Sequence, residues 1–164
     1  MLTGFEPIAA QGGKDGESPD GLLNIDRTLY GTTEGRGAYK CHYNRFGTAF
    51  ELSTSGTKRV LYLFQGGTDG SDPNGLVNVN SALYGTTYTG GDPDRCYIGG
   101  SASGYYLGCG TVFEMSTSGE EHVLHRFGSG TDGIYPDENL TELNGALYGT
   151  TTGGGTNGRS REKN

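Results

Sequence analysis

The sequence predicts an all-β protein built from four-stranded antiparallel units in a β-propeller-like array that is incomplete at both ends. Two observations predict it. The pentapeptide Leu-Tyr-Gly-Thr-Thr occurs three times, at Leu29–Thr33, Leu83–Thr87 and Leu147–Thr151, 54 and 64 residues apart. A period near 50 marks one supersecondary unit used again. Glycine fills 32 of 164 positions, well above the usual ~7%. It shows no Gly-X-Y period, which excludes collagen. It clusters between short apolar runs, as turn punctuation between strands does.

Each unit opens with an Asp-Gly turn, at Asp15-Gly16, Asp69-Gly70 and Asp132-Gly133, and a proline follows at Pro19, Pro73 or Pro136. The glycine admits a positive φ, and the proline fixes the exit and cannot sit in a central strand. The first strand is expected over Leu22–Ile25, Leu76–Val79 and Leu140–Leu143. There Leu23/Ile25, Val77/Val79 and Thr141/Leu143 alternate with Asn24, Asn78 and Glu142, the period of a half-buried strand. A tight turn follows, with Asn144-Gly145 as its clearest hairpin signal.

The second strand carries Leu-Tyr-Gly-Thr-Thr. Its Leu and Gly share one face and Tyr30, Tyr84 and Tyr148 take the other, so the glycine reads as a place of close approach. Gly-rich loops of unequal length follow, Glu34–Phe46 and Tyr88–Cys109, and account for most of the difference in spacing. Third strands are expected over Gly47–Leu52 and Gly110–Met115, each followed by Ser-Thr-Ser-Gly, and fourth strands over Arg59–Phe64 and His122–Phe127.

The chain reads as a single repeat domain, 1–164, with units at about 1–12, 13–65, 66–127 and 128–164. Leu2–Phe5 aligns with the fourth strands, and the third unit carries no third-type strand. A propeller typically needs four to eight blades. The expectation is therefore either a piece of a longer repeat protein or subunits that cover each other's open edges.

The linked motifs Asp-Gly-x-x-Pro, Leu-Tyr-Gly-Thr-Thr, Gly-Thr-Val-Phe-Glu-Met and Val-Leu-His-Arg-Phe resemble the Gloeo/Verruco (GloVer) tandem repeat. The resemblance covers nearly the whole chain apart from the long loops and the charged tail Arg159–Asn164. It implies large secreted or surface-anchored bacterial proteins with many repeats and propeller-like β-sheets. It brings no established catalytic residues. This chain departs from it in being short, in lacking an anchor and in its Cys-containing insertion.

Charge narrows the partners. Twelve basic against nineteen acidic residues give a net charge of −7, and without a Lys/Arg cluster the chain is ill suited to nucleic acid or anionic membranes. No apolar run approaches the ~18 residues of a membrane-spanning helix. Met1–Glu6 lacks the basic and apolar regions of a signal peptide, so either a leader has been removed or the chain begins inside a longer protein.

Cys96 and Cys109 lie in one loop and are candidates for a disulfide, with two free thiols as the alternative, whereas Cys41 has no partner in its own loop. No Cys-x-x-Cys spacing suggests zinc. Asp15, Asp69 and Asp132, with Asp20, Asp72 and Asp137 nearby, are read as turn residues, with calcium as the alternative ligand of their carboxylates. No cofactor other than calcium is expected. Tyr39, Tyr43, Tyr97, Tyr105 and Tyr106 lie in Gly-rich loops and are candidates for sugar binding through their ring faces.

His122 and His125, three apart in a strand, do not suggest a shared metal site. Glu51 and Glu114 recur at matching positions, which favours a structural role. Carboxylates suitable for glycoside hydrolysis are present but in no distinctive setting, and nothing marks a nucleophile elbow. The leading expectation is a non-enzymatic extracellular structural or adhesion module. It would assemble head-to-tail with copies of itself through open strand edges into a ring or filament. A carbohydrate-binding propeller module is the alternative, and a glycoside-active enzyme ranks after it.

Overall fold

The computed structural model describes residues 16–35, 46–92, 94, 96–98 and 105–156, and every regular element among them is a β-strand. The first unit is a four-stranded antiparallel sheet in the order β1 (Glu17–Ile25), β2 (Thr28–Gly35), β3 (Thr48–Leu52), β4 (Lys58–Leu63). In the second unit the outer strand is split into β5 (Ser71–Pro73) and β6 (Val77–Val79), and both parts pair with β7 (Ala82–Thr89). A small hairpin, β8 (Tyr97–Ile98) and β9 (Tyr105–Tyr106), interrupts the unit before β10 (Thr111–Ser116) and β11 (Glu121–Arg126) complete its sheet. The third unit consists of two paired ribbons: β12 (Gly133–Pro136) with β15 (Thr151–Gly154), and β13 (Thr141–Leu143) with β14 (Ala146–Tyr148).

One part of the sequence reading needs correction. The segment around each proline is strand rather than turn: Pro19 pairs with Thr33, Pro73 with Thr87 and Pro136 with Thr151. In the first two units this strand is the sheet edge, where the missing N–H of proline interrupts no ladder. The residue before each proline, Ser18, Asp72 or Tyr135, has a left-handed φ of 55°, 55° or 56°. In β1 the register slips between Pro19 and Leu22. A bulge of this kind twists the strand locally. Gly16 and Gly70 take the positive φ expected of the opening turn.

The hairpin between first and second strands has the same form in all three units. Both central residues have positive φ: Asp26 and Arg27 at 47° and 68°, Asn80 and Ser81 at 50° and 71°, Asn144 and Gly145 at 55° and 79°. This is the type I′ signature, whose twist matches that of paired strands. Only the third copy has the glycine that makes such a turn easy.

The main core lies between the first two sheets. Tyr30, Ala49 and Phe64 of the first unit cluster with Leu76, Leu83, Phe113 and Met115 of the second, and Leu23, Ile25, Phe46, Leu61 and Tyr62 pack around them. Beside it runs a series of buried hydroxyls. Thr33 Oγ1 lies 2.8 Å from Thr48 Oγ1, Thr87 Oγ1 lies 2.8 Å from Thr111 Oγ1, and Ser71 Oγ lies 2.6 Å from Thr89 Oγ1. Each hydroxyl therefore has a partner, without which its burial would be costly.

Placing glycine at the second turn position of the other hairpins should stabilise the fold. Relief of the left-handed strain exceeds the added backbone entropy, so Ser81→Gly and Arg27→Gly are each expected to gain about 0.5–1 kcal/mol. The midpoints of urea unfolding measure this. A loss of stability in both variants would contradict the turn assignment.

Candidate functional site

The surfaces through which one unit meets the next hold the densest specific chemistry among the described residues. Each sheet has a forward face, toward the next unit, and a rear face, toward the preceding one. At the first boundary the forward face presents Tyr30, Ala49 and Phe64, which are 7%, 0% and 0% exposed. The rear face of the second unit meets it with Leu83, Phe113 and Met115, all 0% exposed. The Phe113 ring folds back over Gly85, where an added Cβ would lie 2.6 Å from Cζ. The same ring meets Phe64 edge-on, with centroids 5.2 Å apart and planes at 65°, a favoured aromatic arrangement. Gly85 lies directly opposite Phe113 in the β7–β10 register, so a larger residue at 85 would displace the ring.

Polar contacts tie the same boundary. The Thr32 hydroxyl donates to the Asn74 carbonyl at 3.1 Å, and Pro73 packs against Gly47 and the Thr33 carbonyl. The second boundary repeats part of this pattern, with Pro136 packed against Gly110 near the Thr87 carbonyl. Asn74 Nδ2 donates to Thr86 Oγ1 at 2.8 Å and to the Pro136 carbonyl at 2.9 Å. Gly75 N–H donates to Asn139 Oδ1 at 2.7 Å, and Tyr135 N–H to the Cys109 carbonyl at 2.8 Å. The Tyr88 and Tyr135 rings stack across it at 5.2 Å.

The two boundaries differ in what fills them. Tyr84, Val112 and Phe127 correspond to Tyr30, Ala49 and Phe64, yet all three remain half-exposed. Gly149 corresponds to Gly31 and Gly85. At Gly31 an added Cβ would meet both Phe50 and Leu22, whereas at Gly149 the one described side chain it would meet is Leu140. Leu124, Leu143 and Tyr148 are 53%, 57% and 55% exposed. Leu22 of the first unit is exposed to a similar degree, at 51%, so exposed apolar side chains occur in all three units.

An acidic cluster sits at the first boundary. The Tyr62 hydroxyl donates to Asp69 Oδ1 at 2.7 Å, and Gln65 N–H donates to Asp69 Oδ2 at 2.6 Å. Burial, then the bond to Asp69, raises the Tyr62 hydroxyl pKa, so it stays protonated. Glu121 adds a second carboxyl, with Tyr62 and Asp69 as polar neighbours. Its Oε1 is fully buried with no hydrogen-bond partner among the described residues. Burial first, and the Asp69 charge second, push Glu121 up to about 7 from the ordinary 4.5. The second unit repeats the motif with a different residue: His125 Nε2 lies 2.8 Å from Asp132 Oδ2, while Gly133 N–H donates to Asp132 Oδ1 at 3.0 Å. Tyr62 and His125 each stand seven residues before their aspartate, a recurrence that could have revealed the pair from sequence.

The residues singled out by sequence scatter around this boundary. Asp69 and Asp132 hold turns, with both oxygens of each engaged by protein donors. Among the described residues no three His, Cys, Asp or Glu side chains gather closely enough to hold a metal ion. Cys96 and Cys109 form a disulfide that closes the long loop, with Cα atoms 5.1 Å apart. Inside it the backbones of Tyr97 and Tyr106 pair, as do those of Ile98 and Tyr105. Asp15, Tyr39, Cys41, Tyr43 and the strand expected at Leu2–Phe5 lie outside the described residues. Glu51, opposite Tyr30 in the sheet, accepts from Arg59 Nε at 2.7 Å, and that bond lowers its pKa. Sequence reasoning missed Asn74, Asn139, Tyr62 and Glu121, each of which has at least one partner in another unit.

The raised Glu121 pKa has a definite sign in stability. Between about 4.5 and 7 the folded state holds a proton that the unfolded chain has released. Stability therefore falls as pH rises through that window and levels off above it. Glu121→Gln should remove this component, so the variant gains on the parent between pH 5 and pH 8. Melting temperatures at the two pH values test it, and parallel shifts in both proteins would show that Glu121 does not titrate in this range.

No curated protein and no solved structure matches this chain. The Gloeobacter/Verrucomicrobia repeat matches residues 3–161, a span that takes in both boundaries and all the units described above. The chain belongs to the Gloeobacter/Verrucomicrobia repeat family.

Proposed function

We propose that this chain is a non-enzymatic structural repeat module whose function is assembly. In this reading successive sheets stack forward face to rear face in a propeller-like array outside the cell. Copies or neighbouring repeats join through the faces and edges left open. One observation carries the reading: Tyr30, Ala49 and Phe64 are buried at the first boundary, while their counterparts Tyr84, Val112 and Phe127 are half-exposed at the second. The half-exposed surface has the composition of a docking face, and such a face favours a partner. The Cys96–Cys109 disulfide suits an oxidising compartment. The Asp69–Glu121 pair has the makings of general-acid chemistry, but Tyr62 and Gln65 hold Asp69 and Glu121 Oε1 is buried, which favours a structural role.

The native mass tests this reading, by light scattering followed by electron microscopy of the same sample. The expected result is a ring or filament many times the 17.3 kDa chain. A monomer at all concentrations would overturn self-assembly.

A second reading, carbohydrate binding, draws on the disulfide-closed hairpin that brings the backbones of Tyr97, Tyr105 and Tyr106 together. Glycan-array binding that disappears in Tyr97→Ala would favour it, and an empty array would remove it.

A further inference from the structure

We propose that the edge formed by Leu147–Thr151 in the third unit is a receptor for a β-strand of the pattern Gly-Thr-x-Phe-Glu, supplied by another repeat unit. The inference rests on the assembly reading above and names what fills its open boundary.

The molecule contains two filled examples of this edge. In the first unit Leu29, Tyr30, Gly31, Thr32 and Thr33 pair with Leu52, Glu51, Phe50, Ala49 and Thr48. In the second, Leu83, Tyr84, Gly85, Thr86 and Thr87 pair with Met115, Glu114, Phe113, Val112 and Thr111. The third copy has the same five residues. Among the described residues, its paired strands β13 and β12 lie on one side only. An open edge with free backbone groups is a template for strand addition.

Side chains on three sides define what the added strand must bring. At Gly31 the flanking groups are Leu22 and the Phe50 ring. At Gly149 the leucine counterpart is present, because an added Cβ would lie 2.8 Å from Leu140 Cδ2, but among the described residues no ring lies over the glycine. The wall toward the preceding unit is also in place. Phe64 is closed by Phe113 at 5.2 Å and is 0% exposed. Its counterpart Phe127 is half-exposed and has His125 edge-on at 4.9 Å, as Phe64 has Tyr62 at 5.1 Å. A phenylalanine above Gly149 would meet Phe127 as Phe113 meets Phe64. Gly149, Leu140 and Phe127 therefore frame one ring position that no described residue fills.

The threonine at the end of the edge is set for the same partner. Thr87 Oγ1 donates to the Thr89 carbonyl at 2.8 Å and accepts from Thr111 N–H at 3.1 Å. Thr151 Oγ1 already donates to the Gly153 carbonyl at 3.2 Å, which leaves its lone pair for an incoming threonine N–H. Recognition thus combines a backbone ladder, one aromatic anchor and one hydroxyl contact.

The test uses the full chain and a fluorescent peptide with the sequence of residues 110–117, Gly-Thr-Val-Phe-Glu-Met-Ser-Thr. Fluorescence anisotropy should show saturable binding. A peptide with alanine in place of the phenylalanine should bind at least about tenfold more weakly, since the buried ring is the main anchor. Gly149→Val, which fills the ring position at a site whose φ is not left-handed, should weaken binding similarly while leaving the melting temperature near that of the parent. If Gly149→Val fails to fold, Leu140→Phe offers a second way to fill the same position. No saturable binding, or equal binding of the two peptides, would overturn the inference. Light scattering separates the two readings. A large particle whose mass is unchanged by Gly149→Val sinks this inference alone, whereas a monomer that binds the peptide sinks self-assembly and leaves the receptor edge standing.

Discussion

The fold depends on one packing constraint: an aromatic ring on the third strand must lie across a glycine on the second and against the preceding sheet. Phe113 meets this by closing over Gly85 and touching Phe64. A twisted sheet with one apolar face cannot bury that face alone, so each unit's core belongs as much to its neighbour as to itself. This is why the main cluster joins Tyr30, Ala49 and Phe64 to Leu76, Leu83, Phe113 and Met115 across a boundary. Leu143 and Tyr148, on the face of the third unit away from Gly149, remain on the surface.

A chain that is only 32% hydrophobic needs additional cohesion, and threonine supplies much of it. Thr32, Thr33, Thr48, Thr86, Thr87, Thr89 and Thr111 are all buried. Threonine suits a strand through its branched Cβ, and its hydroxyl can be satisfied by a neighbour in the next strand. The Thr33–Thr48 and Thr87–Thr111 pairs occupy equivalent places in the two complete sheets. The Leu-Tyr-Gly-Thr-Thr repeat thus encodes a ring slot and a hydroxyl ladder in five residues.

Polar residues set how the sheets meet. Asn74 bridges the second and third units through its amide, while its carbonyl accepts from the first. Asp69 and Asp132 brace the turns that carry the chain from one sheet to the next, held by Tyr62 in one case and His125 in the other. Glu121 adds a charge-sensitive element, because its buried carboxyl disfavours ionisation at the first boundary.

The sequence by itself determined the repeat, the all-β class and, in the first two units, the second, third and fourth strands to within a residue or two. Those features are local: period-two alternation and turn residues act over a few positions. Tertiary structure decided the rest. Proline at 19, 73 and 136 reads as the exit of the opening turn, yet in the structure each pairs as part of a strand after a left-handed residue. Asp26-Arg27 and Asn80-Ser81 lack the glycine of a type I′ turn, yet strand twist forces them into one. Asn74, Asn139, Tyr62 and Glu121 each have at least one partner in another unit. The role of the central glycine in Leu-Tyr-Gly-Thr-Thr is legible as close approach, but the identity of the approaching ring depends on strand register. Only the stacking of one sheet on the next shows why that ring must be there.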